Sequence, residues 1–433
     1  GGVQLRHFGH MFSLLKGSNT STKDGISSFQ ALCTSLSARV GTGNLAGVAV
    51  AISLGGSGAI FWMWMIALLG MATGFAESVL GQLYKVRDEN GEFRGGPAYY
   101  IKQGLNKTWL AVAFSLCLFF GYGFVFSAVQ ANTITDALNN AYSFPSEYVG
   151  LAIIALAALI VIGGLRGIAR FAEFVVPFMG IGYVLVALAI TFINISELPA
   201  MLLDIVKSAF GLQEAGAGAL GAAIKNGIQR GLYSNEAGSG SVPHAAASAV
   251  PNPNHPVSQG YIQMLGVFLD TLVLCTSTAF IILLAGGSSS DQMEGIRLTQ
   301  DAMSNHLGEG GTDFVAAAIS LFAFTSVVAN YAYGESNLHM FKLDNKIGRA
   351  VYTIGYLGMI YWGAQAALPQ VWAMADMALG LMTVINIIAI VWMTPTIVSI
   401  SKDYFKKKDS GEKVEYKVGD CEIQGRSEDG VWD

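Results

Sequence analysis

The chain has 433 residues, of which 52% are apolar and 13% are charged, whereas a typical soluble protein has about 25% charged residues. Several apolar runs reach about 18 residues or more, which indicates transmembrane helices rather than a buried soluble core. The formal net charge of −5 argues against nucleic acid as a partner. Composition therefore predicts an all-α polytopic membrane protein.

Ten apolar segments are predicted as membrane spans. Of the 25 lysines and arginines, 20 lie in segments that are on the inside if the chain starts in the cytoplasm. Because positive charge concentrates on the cytoplasmic side, both termini are predicted to lie there and the protein to lie in the cell (plasma) membrane. The predicted spans are 29–53, 57–83, 108–141, 147–165, 171–194, 219–249, 256–286, 312–338, 347–366 and 370–400.

The first span is interrupted near its centre by Gly41-Thr42-Gly43-Asn44. This is a poor helix former, since each glycine costs about 1 kcal/mol relative to alanine. Non-helical backbone at membrane depth is tolerated where it is buried in protein or lines a cavity. Close packing of helices through small residues is the structural alternative, and a dinucleotide motif would need a preceding strand. We interpret the run as an unwound helix centre that binds a ligand.

Span 6 carries a matching interruption, RGLYSNEAGSGSVPHAAASA, with Gly231, Gly238, Gly240 and Pro243. Two broken helices five spans apart are typical of secondary transporters built from inverted repeats. The composition of the tail is typical of a disordered segment. The predicted division is a cytoplasmic lead-in at 1–28, a first five-helix repeat at 29–194, an outer connection at 195–218, a second repeat at 219–400 and a cytoplasmic tail at 401–433.

The break in span 1 predicts a specific chemistry. Unwinding frees the amides of Thr42 and Gly43 at the start of the second half-helix, where they can hold a carboxylate. The carbonyl of Val40 and the amide oxygen of Asn44 can then ligate a hard cation, which prefers oxygen ligands.

Four stretches, in this order, resemble the alanine or glycine:cation symporter family. They are FQALCTSLSARVGTGNLAGVAVAI, GGSGAIFWMWMIALLGMATGFAE, GGPAYYI and RGLYSNEAGSGSVPHAAA. The resemblance implies a sodium-coupled amino acid symporter with the LeuT-type five-plus-five fold. It also implies one helix before the repeat, which we expect to lie upstream of Gly1.

The same resemblance implies where sodium binds. LeuT-type sodium sites pair carbonyls of the first span with two adjacent hydroxyls of span 8. Here the carbonyls would come from Ser37 and Val40, and the hydroxyls from Thr325 and Ser326. Such hydroxyls can instead bond back to the preceding helical turn. The predicted site has no formal charge, which suits a monovalent ion that must leave in each cycle.

The resemblance also implies substrate contacts in spans 3 and 6. Gln130 matches a glutamine that lines the substrate site, although an inter-helix hydrogen bond is the structural alternative. Tyr233 matches a position, usually phenylalanine, that covers the bound amino acid. The full predicted substrate-binding set is Thr42, Gly43, Asn44, Gln130, Tyr233, Ser234 and Asn330.

Asn330 departs from the family pattern, which has a tryptophan in the pocket wall at this position. A short amide enlarges the cavity and adds a hydrogen-bond donor and an acceptor. It therefore indicates a substrate larger and more polar than alanine, such as glutamine.

Ionisable residues inside the spans are candidates for function because their burial is costly. Glu236 lies in the break of span 6, and it is predicted with Arg39 to support the gate or the site. Structural pairing across helices is the alternative for each candidate, and the pairs cannot be read from the sequence. The candidates are Arg39, Glu77, Arg230, Glu236, Asp270 and Asp376.

The leading hypothesis is symport of a small neutral amino acid with sodium by alternating access, with the lipid bilayer as surroundings and no cofactor besides the coupling ion. A proton-driven transporter that uses Glu236 or Asp270 is the nearest alternative. A channel would need repeated pore loops, and a membrane enzyme would need a metal cluster or a nucleophile–base pair. The sequence shows neither pattern.

Overall fold

The computed structural model describes residues 2–20, 25–88, 91–161, 164–212, 217–286 and 294–432. Within them the chain is mostly helical. The spans are Ser28–Arg39 with Gly43–Gly55 (span 1), Gly58–Leu83 (2), Thr108–Tyr142 (3), Ser146–Val161 (4), Gly164–Ile193 (5), Ala217–Asn235 with Val242–Ala247 (6), Pro256–Leu284 (7), Gly310–Leu338 (8), Lys346–Gln365 (9) and Leu368–Trp392 (10).

Shorter elements connect the spans. Four short strands form two pairs. The strands β1 (Ile26–Ser27) and β4 (Ala249–Val250) pair in parallel, and the strands β2 (Val86–Arg87) and β3 (Phe93–Arg94) pair antiparallel. The connecting helices are Val3–Arg6, Phe8–Ser13, Pro97–Gly104, Leu198–Ala209, Ile296–Leu307, the 3-10 turn His339–Phe341 and Thr394–Ser410.

Six helices of the described residues are long and apolar enough to cross a membrane without interruption, namely spans 2, 3, 5, 7, 8 and 10. Large apolar side chains on their outer surface are exposed, such as Phe174 at 81% and Phe178 at 75% in span 5. A soluble protein rarely leaves such continuous apolar surface in water, whereas the hydrocarbon of a bilayer accepts it. The all-α membrane fold is therefore confirmed.

Span 10 is shorter than the sequence predicts. The predicted segment 370–400 divides into Leu368–Trp392 and a second helix, Thr394–Ser410. Pro395 lies in the first turn of the second helix. Proline has no N–H and its ring clashes with the preceding turn, so it is tolerated in a first turn and not in a helix interior. Apolarity alone could not show this boundary.

The break in span 1 is confirmed, and its glycines are required by close approach. The helix ends at Arg39, Val40 is extended, and the chain re-enters a helix at Gly43. A Cβ on Gly41 would lie 2.4 Å from Ser326 Oγ, and one on Gly43 would lie 2.9 Å from Ser234 Cα. A side chain at Gly43 would push against the backbone of span 6, and one at Gly41 would displace the side-chain ends of Ser326 and Gln130.

The break in span 6 has a different local cause. Gly238 and Gly240 adopt φ values of +87° and +88°, and Glu236 adopts +56°. Glycine reaches this left-handed region without steric cost, which is why two glycines occur here. The chain resumes a helix at Val242, with Pro243 in its first turn.

Glu77 of span 2 satisfies the backbone that this break exposes. Its Oε1 accepts a hydrogen bond from the Gly238 amide at 3.0 Å, and its Oε2 accepts from the Gly240 amide at 3.1 Å. Asn386 of span 10 donates to the same carboxylate at 2.8 Å and to the Gly238 carbonyl at 2.9 Å. Glu77 is fully buried. Its two oxygen atoms hold the backbone of the break in place from span 2.

The C-terminal tail is ordered, and the expectation of a disordered tail is wrong. Residues 416–432, which we call the C-terminal strap, pack across one end of the helix bundle, which we call the tail face. Tyr416 and Trp432 are only 1% and 2% exposed. Composition failed here because a few buried aromatic side chains hold down a segment that is otherwise polar.

Glu77→Ala should lower stability strongly, because the Gly238 and Gly240 amides would lose their acceptor at a cost of about 1–3 kcal/mol each. The midpoint of thermal unfolding in detergent micelles measures the loss. Glu77→Gln keeps one acceptor oxygen and should lose less, and Glu428→Ala, on the exposed strap surface, serves as the control. Equal midpoints for Glu77→Ala and the control would contradict this role.

Candidate functional site

A small closed cavity lies beside the break in span 1, among spans 1, 3, 6, 8 and 10. Its free volume is about 10 Å³, enough for roughly one water molecule. Five residues proposed from the sequence line it, so the fold brings distant parts of the chain to one place. The lining residues are Ala38, Arg39, Tyr122, Phe126, Gln130, Tyr233, Glu236, Asn330 and Leu379.

Gln130 binds the freed backbone of span 1. Its Oε1 accepts hydrogen bonds from the Thr42 amide at 2.9 Å and from the Thr42 hydroxyl at 2.8 Å. This oxygen therefore holds the position at which a carboxylate oxygen could be bound by the same two donors. Gly41 lies against the same amide, since a Cβ there would be 2.6 Å from Gln130 Oε1.

Asn44 and Ser234 face span 7 and do not line the cavity. Asn44 Nδ2 donates to Asp270 Oδ1 at 2.7 Å and to Ser234 Oγ at 3.1 Å, and its Oδ1 accepts from the Gly41 amide at 2.9 Å. The Ser234 hydroxyl donates to Asp270 Oδ2 at 2.8 Å, as does the Thr271 hydroxyl. All of these groups are buried, so the amide of Asn44 joins the two breaks to span 7.

Two pairs of oxygen atoms lie next to the break in span 1, each with a carbonyl of span 1 and a hydroxyl of span 8. Thr325 Oγ1 lies 3.4 Å from the Ser37 carbonyl, and Ser326 Oγ lies 3.2 Å from the Val40 carbonyl. Both hydroxyls also donate to the Phe322 carbonyl, at 2.8 and 3.2 Å, so back-bonding to the helix accompanies this arrangement. The side chains are at most 1% exposed. The cluster is neutral, and its oxygen atoms suit a hard monovalent cation.

Arg39 and Glu236 both line the cavity but have separate partners. Arg39 Nη2 donates to Gln263 Oε1 of span 7 at 3.2 Å, and its Nε and Nη1 have no partner among the described residues. Glu236 Oε2 accepts from the Ser241 hydroxyl at 2.7 Å. Glu236 thus holds the ends of its own break together.

Asn330 presents an unused acceptor to the cavity. Its Nδ2 lies 3.4 Å from Ser127 Oγ, and its Oδ1 has no partner among the described residues although the side chain is 1% exposed. Ser127 Oγ is in turn 2.5 Å from the Tyr356 hydroxyl. An acceptor that faces a cavity favours a ligand with a hydrogen-bond donor.

Tyr233 is part of a cluster of aromatic and charged side chains that sequence analysis did not identify. Its ring packs against Trp372 at 4.8 Å between centroids, and Arg230 lies 4.3 Å from the centroid of the same Trp372 ring. Arg230 also forms an ion pair with Asp376 of span 10 at 2.5 Å, and Gln229 donates to Asp376 at 2.6 Å. The charges were visible in the sequence, but their pairing requires spans 6 and 10 to be adjacent.

A polar cavity of about 410 Å³ opens at the end of the bundle opposite the tail face. Asn132, two residues beyond Gln130 in span 3, belongs to its wall, as do Asp136 and Arg297. Arg297 donates to Asp136 at 2.6 Å.

Comparison with known proteins identifies relatives along the whole chain. A family model described as the sodium:alanine symporter family matches residues 1–418. The chain is 46% identical to the probable sodium/glutamine symporter GlnT of Bacillus subtilis, covering 95% of this chain and 85% of the relative. It is 44% identical to the amino-acid carrier protein AlsT of B. subtilis, covering 95% and 87%. It is 38% identical to the sodium/alanine symporter AgcS of Methanococcus maripaludis, covering 90% and 86%.

Asp376→Asn should destabilise the protein by about 2 kcal/mol, because it leaves the buried guanidinium of Arg230 without a counter-charge. Removing one partner of a fully buried ion pair costs about 3–5 kcal/mol. We expect a smaller loss here because Asp376 is 24% exposed. The apolar double replacement Arg230→Met/Asp376→Leu should lose less than the single variant. Thermal unfolding midpoints compare the two, and equal losses would refute the ion pair as the source of the effect.

Proposed function

Because the chain belongs to the sodium:alanine symporter family, we propose that it moves a small neutral amino acid across the membrane together with sodium. The family establishes a membrane transporter and not an enzyme. The single observation that carries the finer proposal is the break in span 1, where the amide oxygen of Gln130 and two hydroxyl–carbonyl pairs of spans 1 and 8 all lie at one unwound turn.

We propose that sodium binds between the carbonyls of Ser37 and Val40 and the hydroxyls of Thr325 and Ser326. The contacts of 3.2 and 3.4 Å between spans 1 and 8 support this. The two hydroxyls would turn their protons away from these carbonyls, so that oxygen lone pairs face the ion, as a hard cation prefers. Because span 1 supplies the carbonyls of one site and the amides of the other, sodium would order the backbone that binds the amino acid.

The substrate carboxylate is proposed to replace Gln130 Oε1 at the Thr42 amide and hydroxyl. Gln130 would then rotate and remain as a wall of the pocket. Tyr233 would cover the substrate, and the Arg230–Asp376 pair would close above it on the side opposite the tail face. Gly43 lies next to Thr42 at the start of the second half-helix, where the helix dipole favours a negative charge.

The substrate is proposed to be a neutral amino acid with a polar side chain, with glutamine as the first candidate. Asn330 Oδ1 is an acceptor without a partner in the cavity wall, and the side-chain amide of glutamine is a donor. The relative GlnT is described as a probable sodium/glutamine symporter, which agrees with this assignment. Alanine and glycine stay within the proposed substrate class.

Transport is proposed to proceed by alternating access, with one bundle of helices rocking against the other around the fixed site. The distribution of lysine and arginine supports a cell-membrane location with both described termini in the cytoplasm. The tail face would then be the cytoplasmic face.

Proton coupling is the second candidate. It would need Asp270 or Glu236 to exchange a proton with water during the cycle. Both oxygens of Asp270 already accept hydrogen bonds from Asn44, Ser234 and Thr271, a role that suits a structural carboxylate. Uptake in sodium-free medium across a pH gradient separates the two candidates, and undiminished uptake there would remove sodium from the proposal.

Ser326→Ala should raise the sodium concentration for half-maximal uptake by about tenfold, which corresponds to about 1.4 kcal/mol for one lost oxygen ligand. Ser320→Ala on the same helix is the matched control, because the Ser320 hydroxyl has no hydrogen-bond partner among the residues that the structure describes. Sodium titration of uptake in proteoliposomes provides the measurement. An unchanged sodium dependence in Ser326→Ala would exclude this hydroxyl as a ligand.

Asn330→Ala should weaken glutamine binding up to about tenfold more than alanine binding, since one hydrogen bond contributes about 0.5–1.5 kcal/mol. Asn330→Trp should narrow the pocket and shift the preference further toward alanine. Competition between the two amino acids for uptake reports the ratio. If alanine already outcompetes glutamine by more than about tenfold in the unmodified protein, the assignment of a larger polar substrate fails.

A further inference from the structure

The C-terminal strap ends in a buried anchor at the end of span 2. The indole Nε1 of Trp432 donates to the carbonyl of Gln82 at 3.3 Å, and the ring lies 4.7 Å from Lys85 Nζ. Tyr416 packs edge-on against the same ring, with centroids 5.6 Å apart. Trp432 is 2% exposed, so the side chain fills a site on the tail face.

The strap also binds three other elements of the tail face. The Tyr416 amide donates to the carbonyl of Asn254, just before span 7, at 2.9 Å. The Gln424 amide donates to the hydroxyl of Thr396, in the helix after span 10, at 3.0 Å. The Arg426 amide donates to the carbonyl of Gln103, in the helix Pro97–Gly104, at 3.4 Å. These elements lie far apart in sequence, and the strap joins them.

The anchor covers the point where spans 1, 2 and 6 meet. Gln82 Nε2 and Lys85 Nζ each donate to the carbonyl of Ala249 at 2.9 Å, at the end of span 6. Ala249 in turn pairs with Ile26 in the parallel ladder of β1 and β4, directly before span 1. The ends of both broken spans are therefore held against span 2, and Trp432 packs on the residues that hold them.

We propose that the C-terminal strap is a latch that keeps the tail face closed and detaches from Gln82 before that face opens. The inference rests on the proposed alternating-access transport, in which the ends of spans 1, 2 and 6 must move relative to span 10 and the helix Pro97–Gly104. The strap bridges these two groups, so it opposes their separation. It has no helix or strand of its own after Ser410, and segments with few regular hydrogen bonds are the first to open locally.

Trp432→Ala tests the latch in the full chain by hydrogen–deuterium exchange in detergent micelles without added amino acid. Exchange in the strap, at 416–426, should become about tenfold faster or more, because opening populations set exchange rates. Exchange at 242–250, the end of span 6 with β4, should accelerate with it. Val418→Ala is the matched control, because Val418 lies on the same strap with its side chain 53% exposed.

Two results would overturn the proposal. Unchanged exchange at 416–426 in both Trp432→Ala and Tyr416→Ala would show that the aromatic pair is not the anchor. Faster exchange at 416–426 with unchanged exchange at 242–250 would show that the strap rests on the tail face without restraining it. Because no substrate or ion enters this measurement, its failure is distinguishable from a failure of the proposed symport.

Discussion

The structure depends on one constraint: backbone groups released by a broken helix inside a membrane need partners other than water. In span 6 the side chain of Glu77 accepts hydrogen bonds from the amides of Gly238 and Gly240. In span 1 the side chain of Gln130 accepts a hydrogen bond from the Thr42 amide, and the side chain of Asn44 accepts one from the Gly41 amide. The two breaks differ in the kind of partner, a fully buried carboxyl group in one and side-chain amides in the other.

This difference separates a structural break from a functional one. A carboxylate bound by two amides and by Asn386 is difficult to displace, because each lost hydrogen bond would leave a buried polar group unsatisfied. A single amide oxygen at the Thr42 amide can be replaced by an incoming carboxylate, which makes stronger, charge-assisted hydrogen bonds to the same donors. We therefore propose that the substrate binds at span 1, and that span 6 contributes Tyr233 and Glu236 to the wall of the site.

Sequence analysis predicted the breaks, because glycine runs within apolar segments are local signals, and the family resemblance implied that spans 1, 3 and 8 meet. Sequence analysis expected the amide oxygen of Asn44 to ligate a cation, whereas this oxygen accepts from the Gly41 amide and the amide nitrogen donates to Asp270, which is distant in sequence. The pairing of Arg230 with Asp376 and the role of Glu77 were invisible for the same reason. The order of the strap was missed because composition does not show which residues become buried. Tyr416 and Trp432 are buried against the tail face, and their burial holds an otherwise polar segment in place.

The central claim is that one unwound turn binds the amino acid and sodium together, so the two ligands must strengthen each other's binding by the same factor. Equilibrium binding to the purified protein measures both sides: the affinity for glutamine, alanine and glycine with and without sodium, and the affinity for sodium with and without the tightest-binding amino acid. We predict equal factors in the two directions, of about 5–150-fold. Amino acid affinity that is the same in sodium and in choline would contradict the account.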